Sequence, residues 1–153
     1  MPTTLRRAAT TALATAALIT GAILGGAGTA SAQHQYGDRL NRGESLQPGE
    51  MIQRSIWDPI ANLQVWYRLV MQTDGNLVEY KIHRYGQSVC WATNTYPYSG
   101  NYAVYQSDGN FVLYTSGGHA LWASHTMGLP GETVDINRNG VVYAGHTPFT
   151  GSC

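Results

Sequence analysis

From about residue 40 onward, apolar and polar positions alternate along the chain, and glycine turns such as Gly117-Gly118 interrupt the alternation. A period of two places successive side chains on opposite faces of a strand, and no long helical period competes with it. The pattern predicts an all-β chain of short strands and tight turns. The pattern also repeats. Gln72-x-Asp74-x-Asn76-x-Val78-x-Tyr80 is followed by Gln106-x-Asp108-x-Asn110-x-Val112-x-Tyr114, with Gly75 and Gly109 between the Asp and the Asn. After each phrase comes a turn-rich gap and then a Trp phrase, Trp91-Ala92-Thr93-Asn94-Thr95 or Trp122-Ala123-Ser124-His125-Thr126. Chance rarely aligns so many residue types, so the chain contains a duplicated unit of roughly thirty residues.

The units are chemically legible. An amide, a carboxylate, a second amide, a small apolar group and a phenol make a set suited to reading hydroxyls. On one straight strand the first and last members would lie roughly 26 Å apart, too far for one small ligand. Asp-Gly between apolar residues is a hairpin signal. With an odd-length loop at Asp74-Gly75-Asn76, Gln72 would face Val78 and Val70 would face Tyr80, and all four would share one face. A two-residue loop would instead turn Val78 to the other face. Turn and strand propensities alone explain Asp, Asn, Val and Tyr. They do not require a Gln two residues upstream in both copies.

A third unit is eroded. Its spaced set reads Asp135-x-Asn137-x-Asn139-x-Val141-x-Tyr143, and Asn139-Gly140 suggests a two-residue turn of different parity. No Trp follows; Ala144-Gly145-His146-Thr147 stands where that phrase would be. This unit is expected to complete the fold and to contribute little binding.

The two intact phrases resemble the mannose-binding signature of the bulb-type (monocot, snowdrop-agglutinin-like) lectins, matching it at all five positions over a likeness that runs roughly from Leu40 to Thr147. The resemblance implies a type II β-prism, with three antiparallel sheets around a pseudo-threefold axis. It implies that Gln72, Asp74, Asn76 and Tyr80, and likewise Gln106, Asp108, Asn110 and Tyr114, bind mannose hydroxyls. Val78 and Val112 would pack on the sugar ring. Leu40, Leu46 and Met51, with Gly43 and Gly49, resemble the short leading strands of that family. Trp91 and Trp122 are expected in the core around the pseudo-axis; the environment of Trp66 is left open. Glu79, whose counterpart is Leu113, is expected at an exposed edge or paired with an Arg such as Arg68, since an unpaired buried carboxylate is costly.

Arg6 and Arg7, the apolar stretch from Ala8 to about Gly28 and the triplet Ala30-Ser31-Ala32 read as a cleavable secretory signal peptide over 1–32. A bulb-type lectin domain would then occupy 33–153, with 33–39 a flexible start and a degenerate repeat near 127–147. Removing 32 of the 153 residues leaves 121, enough for one domain with a core. That part carries seven basic against nine acidic residues, and no basic stripe. Nucleic acid is therefore a poor partner, and without another long apolar run membrane insertion is not expected. Secretion makes a Cys90–Cys153 disulfide plausible within the chain, the alternative being a bridge between chains. Whether copies form a homo-oligomer is left open.

Function then rests between three classes. A secreted lectin would bind mannose or mannosylated glycans without catalysis and without a metal or other cofactor. A protein on the same scaffold could instead act as an antibacterial toxin or a protein-binding inhibitor. An enzyme finds little support: each phrase has one acid, no pair suits glycoside hydrolysis, and the five His are scattered.

Overall fold

The computed structural model describes residues 37–153, and within them the expected alternation becomes twelve strands. They are β1 (Arg39–Asn41), β2 (Ser45–Leu46), β3 (Met51–Asp58), β4 (Leu63–Met71), β5 (Leu77–His83), β6 (Gly86–Ala92), β7 (Tyr102–Tyr105), β8 (Phe111–Tyr114), β9 (Ala120–Ala123), β10 (Thr133–Ile136), β11 (Val142–Ala144) and β12 (Thr147–Pro148). They form three antiparallel four-stranded sheets. The first has the order β3-β4-β5-β6, the second β2-β7-β8-β9 and the third β1-β10-β11-β12. This is the type II β-prism that the resemblance implied. Each sheet is a three-stranded meander completed by one leading strand. The segment 39–58 therefore visits all three sheets in turn and ties the repeats together.

Alternation decides which side chains meet in the middle. Along β4 the odd positions, Leu63 to Met71, are buried, while Gln64, Trp66, Arg68 and Val70 face outward. Leu40, Leu46 and Ile52 bring one fully buried apolar side chain from each leading strand. They join Leu69, Met71, Leu77, Tyr105, Phe111, Leu113, Val134, Ile136 and Val142 in one core. Each such side chain contributes about 1.5–3 kcal/mol of burial. Trp91 and Trp122 pack against this core as expected, at a centroid distance of 5.3 Å. Phe149 closes the triangle at 5.5 and 5.4 Å, supplying from the third repeat the aromatic ring that its missing Trp would have given.

The sheets are unequal. Strands of the first run to seven, eight and nine residues, whereas no strand of the other two exceeds four. The first sheet is thus the longest of the three along its strands. On its inner face a Cys90–Cys153 disulfide, the intrachain one of the two pairings considered, holds the C-terminal residues. Lys81 Nζ donates to the Cys153 carbonyl at 3.0 Å and lies over the Tyr67 ring.

Two expectations need correction. Glu79 is neither at an edge nor paired with Arg68: it is wholly buried opposite Leu69 and Trp91, while Arg68 points to the other face and donates to Gln53. Neither carboxylate oxygen has a hydrogen bond of good geometry. Burial pushes the group up to about 7, and the neighbouring Thr150 hydroxyl acts weakly in the other direction. A carboxyl so placed escapes the cost of a buried charge by holding its proton. The expected flexible start also ends earlier than supposed. Arg39 already pairs with Asp135 in β1, and Gly37 accepts a hydrogen bond from the Gln53 amide at 3.0 Å. The signal peptide and residues 33–36 lie outside the described residues.

Candidate functional site

The two signature phrases form the same hairpin. Gln72 N donates to Asn76 O at 2.8 Å and Gly75 N to Gln72 O at 3.1 Å; in the second copy Gln106 N donates to Asn110 O at 2.9 Å and Gly109 N to Gln106 O at 3.0 Å. The loops are Thr73-Asp74-Gly75 and Ser107-Asp108-Gly109, three residues each. The odd parity was expected, but the partners differ by two: Val70 faces Val78 and Arg68 faces Tyr80, not Gln72 with Val78 and Val70 with Tyr80. The reason is the glycine. A turn ending in a left-handed residue places Gly75 (φ +93°) and Gly109 (φ +88°) as the last loop residue, so pairing resumes at the Asn. A side chain at Gly75 would also collide with the Tyr98 carbonyl group. Because the slip is by two, Gln72, Asn76, Val78 and Tyr80 still share one face.

Hydrogen bonds inside each hairpin determine what remains for a ligand. Asp74 Oδ1 accepts from Asn76 N at 3.0 Å, leaving Oδ2 as an outward acceptor. Gln72 Nε2 donates to the Tyr80 phenol at 2.6 Å, which frees Gln72 Oε1 to accept and the phenol proton to be donated. Asn76 Oδ1 receives Thr95 N at 3.3 Å and lies 3.0 Å from Thr93 Oγ1, so its Nδ2 is left as a donor. The second copy repeats every element: Asp108 with Asn110 N at 2.9 Å, Gln106 with Tyr114 at 2.7 Å, and Asn110 Oδ1 with Thr126 N at 3.2 Å and Ser124 Oγ at 3.3 Å. Each hairpin therefore offers two acceptors and two donors around Val78 or Val112, apolar side chains that are themselves only 2% and 3% exposed. Such alternation suits neighbouring hydroxyls of a ring whose other face is C–H.

The residues that sequence reasoning missed sit in the Trp phrases. Thr93 and Ser124 cap the Leu77 and Phe111 amides and reach the signature Asn; Thr95 and Thr126 bond the carbonyls of Gly75 and Gly109 at 2.8 and 2.6 Å. Between each pair a left-handed residue, Asn94 or His125, turns the chain so that both hydroxyls point one way. The recurrence Trp-Ala-(Ser/Thr)-x-Thr was the visible signal, and its hydroxyl positions were the part left without a role.

The third hairpin corrects its reading. Its turn is not a two-residue one: Asn137 N donates to Val141 O at 2.9 Å and Gly140 N to Asn137 O at 3.2 Å, the same three-residue loop as its sisters. With Gly140 as the left-handed residue, the alignment moves by two. Asn137, not Asp135, stands at the Gln position, Asn139 at the Asp, Val141 at the Asn, Tyr143 at the Val and Gly145 at the Tyr. Its charged acceptor and signature Asn are both gone, and a side chain at Gly140 would meet the Tyr67 ring and Cys153. Among the described residues no three His, Cys, Asp or Glu side chains gather as metal ligands do.

No protein-family model matches the chain, and no curated protein sequence does. Solved structures do. A lectin from garlic (Allium sativum) is 37% identical over 69% of this chain and 90% of its own, with a TM-score of 0.54. Monomeric monocot mannose-binding lectins from Gastrodia elata are 31% identical over 73% of this chain and 93% of theirs, at 0.53. The mannose-specific agglutinin of snowdrop (Galanthus nivalis) bulbs, solved with methyl-α-D-mannoside, is 29% identical over 69% and 86%, at 0.54.

Proposed function

The chain belongs to the bulb-type monocot mannose-binding lectin family, and from that premise we propose that it is a secreted lectin that binds mannose-containing glycans through its first two hairpins, without catalysis. The observation that carries the reading is the identical unspent hydrogen-bonding set on both tips: Asp Oδ2, Gln Oε1, Asn Nδ2 and the Tyr hydroxyl. A mannose ring laid on Val78 or Val112 would place its hydroxyls against these groups. Recognition of this kind discriminates because a wrong stereoisomer leaves protein groups unpaired. The tips are shallow, so a single site is weak and useful strength comes from engaging two at once.

Snowdrop agglutinin bound to a mannoside and a Polygonatum lectin bound to a monomannoside support mannose as the ligand. Secretion rests on the leader over 1–32; intact mass of the exported protein should give Gln33 as its first residue. Retention on immobilised mannose, with elution by free methyl-α-mannoside and not by galactose, tests the binding. Passage through the column unretained would move the function elsewhere on the scaffold.

A further inference from the structure

The three sheets differ at one structurally equivalent position, eight residues before each tip Asp or its Asn substitute. It is Trp66 in the first sheet, Gly100 in the second and Gly131 in the third. Trp66 faces Ile82 across β4 and β5, on the same outward face as Tyr80, Val78 and the rest of the first binding set. It lies two residue pairs beyond Arg68 and Tyr80, about 7 Å further along the strands. In the second sheet the matching pair is Gly100 against Ser116, where a Cβ on the glycine would come 3.3 Å from Ser116 Cβ; no platform exists there.

We infer that the extended first sheet carries a secondary carbohydrate subsite, built on Trp66, that receives the further sugar residues of an oligosaccharide whose terminal mannose occupies the first hairpin. This rests on the reading of that hairpin as a mannose site. The occupant follows from continuity, since Val78, Tyr80, Arg68 and Trp66 all lie on one side of the β4–β5 ladder, Trp66 next along from Arg68 and Tyr80. The chemistry fits a pyranose. The half-buried indole offers a flat apolar surface for the C–H face of a sugar. Arg68, its guanidinium 6.0 Å from the Trp66 ring, uses Nε on Gln53 at 3.2 Å and keeps its other donors for hydroxyls. Trp66 stands between two open cavities. One, of about 430 Å³, reaches Trp57, Gln64 and Ile82; the other, of about 350 Å³, reaches Gln53 and Ser55. The two hairpins thus differ in the length of ligand they read: the second takes a terminal mannose, the first a chain.

The test uses the full mature protein carrying Asp108→Ala, which isolates the first site. Affinities for methyl-α-mannoside and for a linear mannotriose are measured by titration calorimetry, with and without Trp66→Ala. The subsite predicts that mannotriose binds more tightly than the monosaccharide, that Trp66→Ala lowers mannotriose affinity about tenfold and leaves the monosaccharide unchanged, and that Trp66→Tyr restores most of the difference. Equal affinities that Trp66→Ala does not alter would overturn the subsite alone. Equal losses for both sugars would overturn it too, assigning Trp66 to the support of the hairpin. No binding of either sugar would overturn the mannose reading with it. A wild-type dimer in sedimentation that Trp66→Ala dissociates would assign the face to a second copy instead.

Discussion

The second and third hairpins have the same backbone and different chemistry. Both close a three-residue loop on a left-handed glycine, Gly109 or Gly140, and both bond the first loop-flanking amide to the carbonyl four residues on. The second presents Gln106, Asp108 and Asn110; the third presents Asn137, Asn139 and Val141 at the same places. The fold therefore depends on the glycine, the register and the buried alternation, and the polar set is an independent layer written on top of it. The ways of anchoring the tip differ as well. Arg42 Nη1 donates to Ser107 O at 2.7 Å behind the second tip, whereas the amide of the disulfide-held Cys153 donates to Asn139 O at 3.0 Å behind the third.

If the layers are separable, removing the charged acceptors should abolish binding and spare the fold. Asp74→Ala with Asp108→Ala should eliminate retention on immobilised mannose, each single change should remove one site, and Asn137→Ala or Asn139→Ala should change nothing. Each lost charged hydrogen bond costs about 1.5–3 kcal/mol, enough to make a weak site undetectable. Thermal unfolding of the double variant should stay within a few degrees of wild type.

Cys153→Ser should do the reverse, lowering stability and leaving both mannose sites working. The disulfide joins positions 63 residues apart, and loop-closure entropy sets its contribution near about 4 kcal/mol. Denaturant unfolding compared with sugar titration checks the division; a loss of mannose affinity in this variant would tie the third tip to binding.

Glu79 carries the one wholly buried carboxyl group among the described residues, at the place where the second sheet has Leu113. Its folded-state pKa, about 7, lies above the ordinary 4.5, so the folded protein holds a proton that the unfolded chain releases. Stability should be greatest below about pH 4.5 from this group, fall between pH 4.5 and 7, and level off above, a loss on the order of 3 kcal/mol. Glu79→Leu should erase that slope and be the more stable protein at pH 8, as unfolding free energies measured across the range would reveal.

A smaller effect should come from Thr126→Val, which removes the hydroxyl holding Gly109 O while keeping the buried shape. Mannose affinity at the second site should fall several-fold, with the first site unchanged, when measured in the Asp74→Ala background.

Much of this was legible in the sequence because it repeats at fixed spacing. The all-β class, the two hairpins and the shared face of Gln72, Val78 and Tyr80 all follow from a period of two and a recurring Asp-Gly. The pairing partners were not legible, since the left-handed glycine and not the Asp-Gly-Asn string decides where the ladder resumes. The same oversight misaligned the third repeat by two residues, Asp135 for Asn137. Phe149 could not be foreseen as the third core aromatic because it follows the Trp position by two residues rather than occupying it. Glu79 was misjudged because its cost was weighed as a charge, and a neutral carboxylic acid was not considered.

The central claim is that two of three equivalent hairpins carry the binding chemistry. Calorimetric stoichiometry with methyl-α-mannoside measures it directly on the mature protein. Two sites per chain are expected, falling to one in Asp108→Ala and to none when Asp74→Ala is added. Three sites, or two that survive the double change, would contradict the account.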